Sequence, residues 1–77
     1  MKMQKLPRLS GKETIKILSK IGFVPVRQTG SHIILKKVTS EGTRALVVPN
    51  HDEIDRGTLL EIIRQAGLKK EDFLKLL

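Results

Sequence analysis

The sequence predicts an α+β fold, α-β-β-β-α, with a three-stranded antiparallel sheet, helices packed on one face and a short C-terminal helix. Three observations carry this. An apolar stripe at helical spacing runs through Ile15, Ile17, Leu18 and Ile21, and a second through Leu59, Ile62, Ile63 and Ala66. Between them lie three short runs rich in Val, Ile and Thr, punctuated at Gly30-Ser31 and Thr39-Ser40-Glu41-Gly42. A sheet with one apolar face needs covering, and the two amphipathic helices are available to cover it. The 77 residues suffice for one domain, read as spanning residues 1–77.

Each element has its own signals. Residues 1–9 form a basic lead-in ending in Leu6-Pro7-Arg8-Leu9. Ser10-Gly11-Lys12-Glu13 fits a capping box, in which Ser10 accepts from the Glu13 amide and Glu13 reaches back. Lys12, Lys16 and Lys20 recur on another face of this first helix. Gly22 stops it, with Phe23 placed for the accompanying apolar contact. Phe23 to Thr29 reads as a strand that belongs at an edge or pairs weakly near its start, because Pro25 lacks an amide hydrogen. His32 to Val38 and Thr43 to Pro49 are the next two strands. Thr58 to Ala66 forms the second helix, which Gly67 ends and Leu68 packs against. Asp55 is its plausible N-cap. A short helix follows around Glu71 to Leu76, with Phe73, Leu74 and Leu77 as apolar contacts.

Composition narrows the chemistry. There is no cysteine, which removes disulfides, thiolate metal sites and cysteine nucleophiles and suits a cytoplasmic location. No apolar run approaches a membrane span, and Met1-Lys2-Met3 leads into no apolar segment of the kind a signal peptide needs. The formal charge is +7 and uneven: residues 1–50 hold ten Lys/Arg and two Glu, whereas residues 51–77 hold five basic and six acidic residues. An excess confined to one part of a small chain suits a polyanion; it also suits simple solubility. Nucleic acid is favoured over membrane, because no basic amphipathic helix carries aromatic anchors. A helix-turn-helix reading, and with it DNA binding by this chain alone, fits poorly, since strand-like residues separate the two helices.

The hairpin formed by the second and third strands brings distant segments together. A turn centred on Ser40-Glu41 pairs residues whose numbers sum to about 81 or 82. Leu35 then meets Leu46 or Val47, and His32 meets Pro49 or Asn50. His51 falls beside the Gly30-Ser31 turn. Both histidines of the chain therefore lie at one end of one hairpin. An imidazole, with an ordinary pKa of about 6.5, can take a proton from a 2′-hydroxyl or give one to a leaving oxygen. Arg27, Lys36, Lys37 and Arg44 would hold the phosphate and offset its developing charge. Ser31 would hydrogen-bond a phosphate oxygen, and Gly30 would let the backbone approach the strand closely. Such chemistry needs no metal or other cofactor. The plainer alternatives are an exposed surface histidine, an ordinary turn serine and a solvated strand face. His51 with Asp52, Glu53 and Asp55 resembles a loose metal cluster; acids preceding a helix are the simpler account.

The element order is that of double-stranded-RNA-binding domains. The strings Leu6-Pro7-Arg8-Leu9-Ser10-Gly11-Lys12-Glu13, Gly22-Phe23, Arg27-Gln28-Thr29-Gly30-Ser31-His32, Val48-Pro49-Asn50-His51, Gly57-Thr58-Leu59 and Ile63-Arg64-Gln65-Ala66-Gly67-Leu68 go further. In this order and spacing they resemble the HicA (YcfA-like) toxins, from about Leu6 to Leu77. The resemblance implies a fold like that of double-stranded-RNA-binding domains and an endoribonuclease that cleaves mRNA without a metal and arrests growth. It implies His32, in the Gly-Ser-His motif, as the catalytic residue, and a HicB-type antitoxin as protein partner. For His51 it supports a recurring motif position only. A non-catalytic RNA-binding domain of the same fold is the alternative, and a pure protein-interaction module would share the basic face. The chain has no Tyr or Trp, so base stacking on an aromatic platform is not expected.

Overall fold

A computed structural model describes residues 5–77. The elements are α1 (Gly11–Ser19), β1 (Val24–Thr29), β2 (His32–Thr39), β3 (Gly42–Pro49), α2 (Arg56–Gln65) and α3 (Lys70–Leu74). This is the α+β layout expected from the sequence. Of the basic lead-in, residues 1–4 lie outside the described residues.

Local chemistry fixes the helix ends. The Ser10 hydroxyl accepts from the Glu13 amide at 3.0 Å and the Glu13 carboxylate accepts from the Ser10 amide at 2.8 Å, closing the capping box. At the other end Gly22 has φ +99°, and the Phe23 amide donates to the Leu18 carbonyl while that of Gly22 donates to Ser19. These paired bonds satisfy carbonyls that the helix leaves without partners. The same pattern recurs where Gly67 and Leu68 donate to Arg64 and Ile63. α2 starts at Arg56, two residues before the Thr58 expected, because the chain turns helical directly after its Asp55 cap. α3 likewise starts a residue early, where Asp72 accepts from the Lys69 amide.

The sheet order is β1-β2-β3, both pairs antiparallel. The β2–β3 register sums to 81: Leu35 faces Leu46 and His32 faces Pro49. β1 is an edge strand, and its register slips between Pro25 and Arg27, so Val26 bulges out. Alternation sends Ile33, Leu35, Leu46 and Val48 to one face, where both helices and Phe23, Ile54 and Phe73 enclose them. Leu35, Val48, Phe23 and Phe73 have no exposed surface. The opposite face, with His32, Ile34, Lys36, Ala45 and Val47, has no helix over it among the described residues.

Candidate active site

The Gly30-Ser31 turn joins β1 to β2 with only two residues between the paired Thr29 and His32. Gly30 has φ +59°, the value a tight hairpin turn demands at its first central position. A Cβ here would meet nothing within 4 Å, so the glycine serves the turn's conformation and leaves its backbone open to solvent. The Gln28 side-chain amide donates to the Gly30 carbonyl at 3.0 Å and steadies the turn.

Two backbone bonds bring the second histidine to this turn. The Asn50 amide donates to the Ser31 carbonyl at 2.6 Å, prolonging the β2–β3 ladder by one step. The Gly11 amide donates to the His51 carbonyl at 2.9 Å, fastening the residues after β3 to the start of α1. Gly11 is buried, and a Cβ on it would lie 2.2 Å from the Pro49 carbonyl oxygen. Only glycine allows that approach.

The result is a surface hollow of about 320 Å³ lined by His32, Val47, Pro49, His51, Asp55 and Thr58. Both histidines are exposed. Asp55 and Thr58 are the contribution that sequence reasoning missed as lining residues. The chain returning from β3 has to start α2 beside the hairpin's end, and in the sequence Asp55 reads as a cap or as one acid of a loose metal cluster, not as a neighbour of His32. Its carboxylate accepts from the Thr58 hydroxyl at 2.7 Å and from the Thr58 amide at 3.1 Å. These bonds favour the charged carboxylate and hold its pKa below the ordinary 3.8. A depressed carboxyl contributes stability that is complete above its unfolded pKa and lost as the pH falls through the folded value. Asp55→Asn, which keeps a capping oxygen but cannot titrate, is therefore expected to flatten the fall of melting temperature below about pH 4. Melting curves across the acid range check this; an unchanged slope would remove Asp55 from the acid response.

The cations expected around the phosphate divide between the two faces of the sheet. Arg27 pairs with Ile34, and Lys36 lies on the same uncovered face as His32, four residues along β2 and so about 13 Å away. Lys37 and Arg44 pair with each other on the helix side. The Lys37 ammonium sits 5.7 Å from the centroid of the Phe23 ring. The Arg44 guanidinium donates to the Gln65 carbonyl at 3.1 Å, at the negative end of α2. Of the residues singled out, His32, His51, Gly30 and Ser31 are thus brought to one end of the hairpin, with Arg27 and Lys36 on the adjoining open face. Lys37 and Arg44 are not among them. Among the described residues, His51, Asp52, Glu53 and Asp55 do not gather into a group that would hold a metal ion. No helix among them is long and apolar enough to cross a membrane.

A family model described as the HicA toxin of bacterial toxin-antitoxin matches residues 11–68. A search of curated proteins matched nothing.

Proposed function

The chain belongs to the HicA toxin family of bacterial toxin–antitoxin systems, and from that premise we propose that it is an endoribonuclease that cleaves mRNA with His32 as its catalytic residue. The observation that carries this reading is the hollow into which His32 and His51 both open. A strand laid across it would put its phosphate near the Gly30-Ser31 turn and its 2′-hydroxyl within reach of an imidazole. In the reaction the 2′-oxygen attacks the neighbouring phosphorus and loses its proton to a base. The phosphorus–oxygen bond to the next nucleotide breaks, and an acid protonates the departing 5′-oxygen. The products are a 2′,3′-cyclic phosphate and a free 5′-hydroxyl. His32 exchanges one of these protons, while His51 contacts the RNA from the opposite side of the hollow. Arg27, Lys36, Ser31 and the Gly30 amide attract and orient the phosphates.

The activity requires no metal ion or cofactor in this reading. A HicB-type antitoxin neutralises it by covering the same basic, histidine-bearing surface. Induced expression in a bacterial host without antitoxin is expected to stop growth and degrade mRNA, and cleavage by the purified chain is expected to persist in EDTA. Normal growth with intact RNA would reject the nuclease reading in favour of a non-catalytic RNA-binding domain. Cleavage abolished by EDTA would reject metal independence.

A further inference from the structure

A second hollow, of about 350 Å³, lies on the other side of the first turn of α2. Its polar lining includes Lys5, Arg8 and Arg56 with one acid, Glu53; Leu6 and Ile54 contribute apolar surface. Its size falls within the roughly 300–1,000 Å³ typical of small-ligand sites. The Arg8 guanidinium is 3.8 Å from the Glu53 carboxylate, and both side chains are mostly exposed. Such a pair is weak and yields readily to a stronger anion. Three cations against one carboxylate leave the hollow positive.

The backbone beside Arg8 is tied to the same segment that shapes the His32 site. The Ile54 amide donates to the Leu9 carbonyl at 2.8 Å, and the Gly11 amide to the His51 carbonyl at 2.9 Å. The segment carrying Arg8 is therefore fastened along the one carrying His51. Asp55 and Thr58 line the first hollow, while the adjoining Arg56 and Leu59 line the second. The opening turn of α2 is the wall between them. With Lys37 and Arg44 engaged on the helix side of the sheet, this hollow gathers three cations that the His32 site does not use.

We propose that this second hollow is a backbone subsite for the RNA strand where it leaves the His32 site, with Lys5, Arg8 and Arg56 holding its phosphates and the apolar floor meeting a base. The proposal rests on the ribonuclease reading above and adds to it where the flanking nucleotides go. It accounts for Lys5 and Arg8 of the basic lead-in, which the chemistry at His32 leaves without a role. A short substrate would fill only the first hollow, whereas a longer one would engage both.

The test measures binding of single-stranded RNA by the full chain carrying His32→Ala to prevent turnover, with and without Lys5→Ala/Arg8→Ala/Arg56→Ala. For an RNA of about 12 nucleotides the triple change is expected to weaken binding by roughly tenfold or more and make the plot of log affinity against log salt shallower by about 2. Binding of a dinucleotide is expected to stay the same. Arg8→Lys/Arg56→Lys should keep the steep slope, since ion release counts charges. An unchanged slope with the longer RNA, or an equal loss for the dinucleotide, overturns the subsite. Should the triple variant melt early, Arg56→Ala alone carries the test, with a slope change of about 0.7. A wild-type chain that shows these slopes but cleaves nothing would reject the ribonuclease reading and leave the subsite standing.

Discussion

Replacing His32 with alanine is expected to lower the rate of RNA cleavage by about 10²- to 10⁴-fold while leaving the fold and most RNA affinity in place. The magnitude is that of one positioned proton-transfer group. The structural cost is small for a definable reason: His32 is exposed, it is the first residue of β2, and its backbone pairing with Thr29 and Pro49 does not depend on the imidazole. Affinity should fall little, because the proposed phosphate contacts are those of Arg27, Lys36 and the turn. Single-turnover cleavage of a defined RNA, with melting temperature and binding measured alongside, checks all three parts. Cleavage at the wild-type rate would remove His32 from the chemistry. His51→Ala in the same assay should cost less in rate and show as weaker substrate binding. A loss as large as that at His32 would instead make His51 the second proton-transfer group.

The other large effect is expected at a residue that touches no substrate. A Cβ at Gly11 would sit 2.2 Å from the Pro49 carbonyl oxygen and 3.0 Å from the Asn50 Cα, both parts of the backbone rather than flexible side chains. Relief requires α1 and the end of β3 to separate. Gly11→Ala is therefore expected to destabilise the chain by about 1–3 kcal/mol, the usual range for overpacking, despite alanine's better helix propensity. The separation also stretches the Gly11–His51 bond and displaces His51 from the hollow. Chemical denaturation measures the first effect; cleavage at a temperature where the variant is still folded measures the second. Gain of stability would mean that the close approach is not what requires glycine here.

Gly11 also marks where sequence reading ran out. Ser10 and Glu13 account fully for the Ser10-Gly11-Lys12-Glu13 string as a capping box, so nothing in it announces that Gly11 meets the far end of the sheet. Contacts set by neighbours in sequence were legible: the cap, the Gly22 and Gly67 stops, and the Asp55 N-cap. The β2–β3 register was narrowed to two choices because a short turn and matching apolar cores permit few others. The histidine pairing followed from that register. What was not legible is which face the helices cover. Lys36 and Lys37 are adjacent on a strand and point to opposite faces, so grouping both on one phosphate overlooked the alternation, and only the docked helices show which of the two stays on the open face. The covered face took Lys37 and Arg44, where an aromatic ring and a helix end engage them. Asp55 and Thr58 were hidden for a related reason, since their place beside His32 depends on where α2 docks.

The bond between Gly11 and His51 has a consequence for the order in which the chain acquires activity. The sheet is a meander of two hairpins, each strand paired with its neighbour in sequence, and pairings of that kind form early and fast. His32 gains its place at the start of β2 as soon as the first hairpin closes. The fastening of α1 to the residues beyond β3 spans all three strands and bears a larger loop-closure cost. It is expected to form after the hairpins, and amide-exchange labelling during refolding checks this. A chain still being synthesised or partly unfolded therefore carries the Gly-Ser-His turn without the second histidine, Asp55 or Thr58 beside it. On the reading proposed above, the candidate site is complete only after the closure that fastens α1 to the end of the sheet.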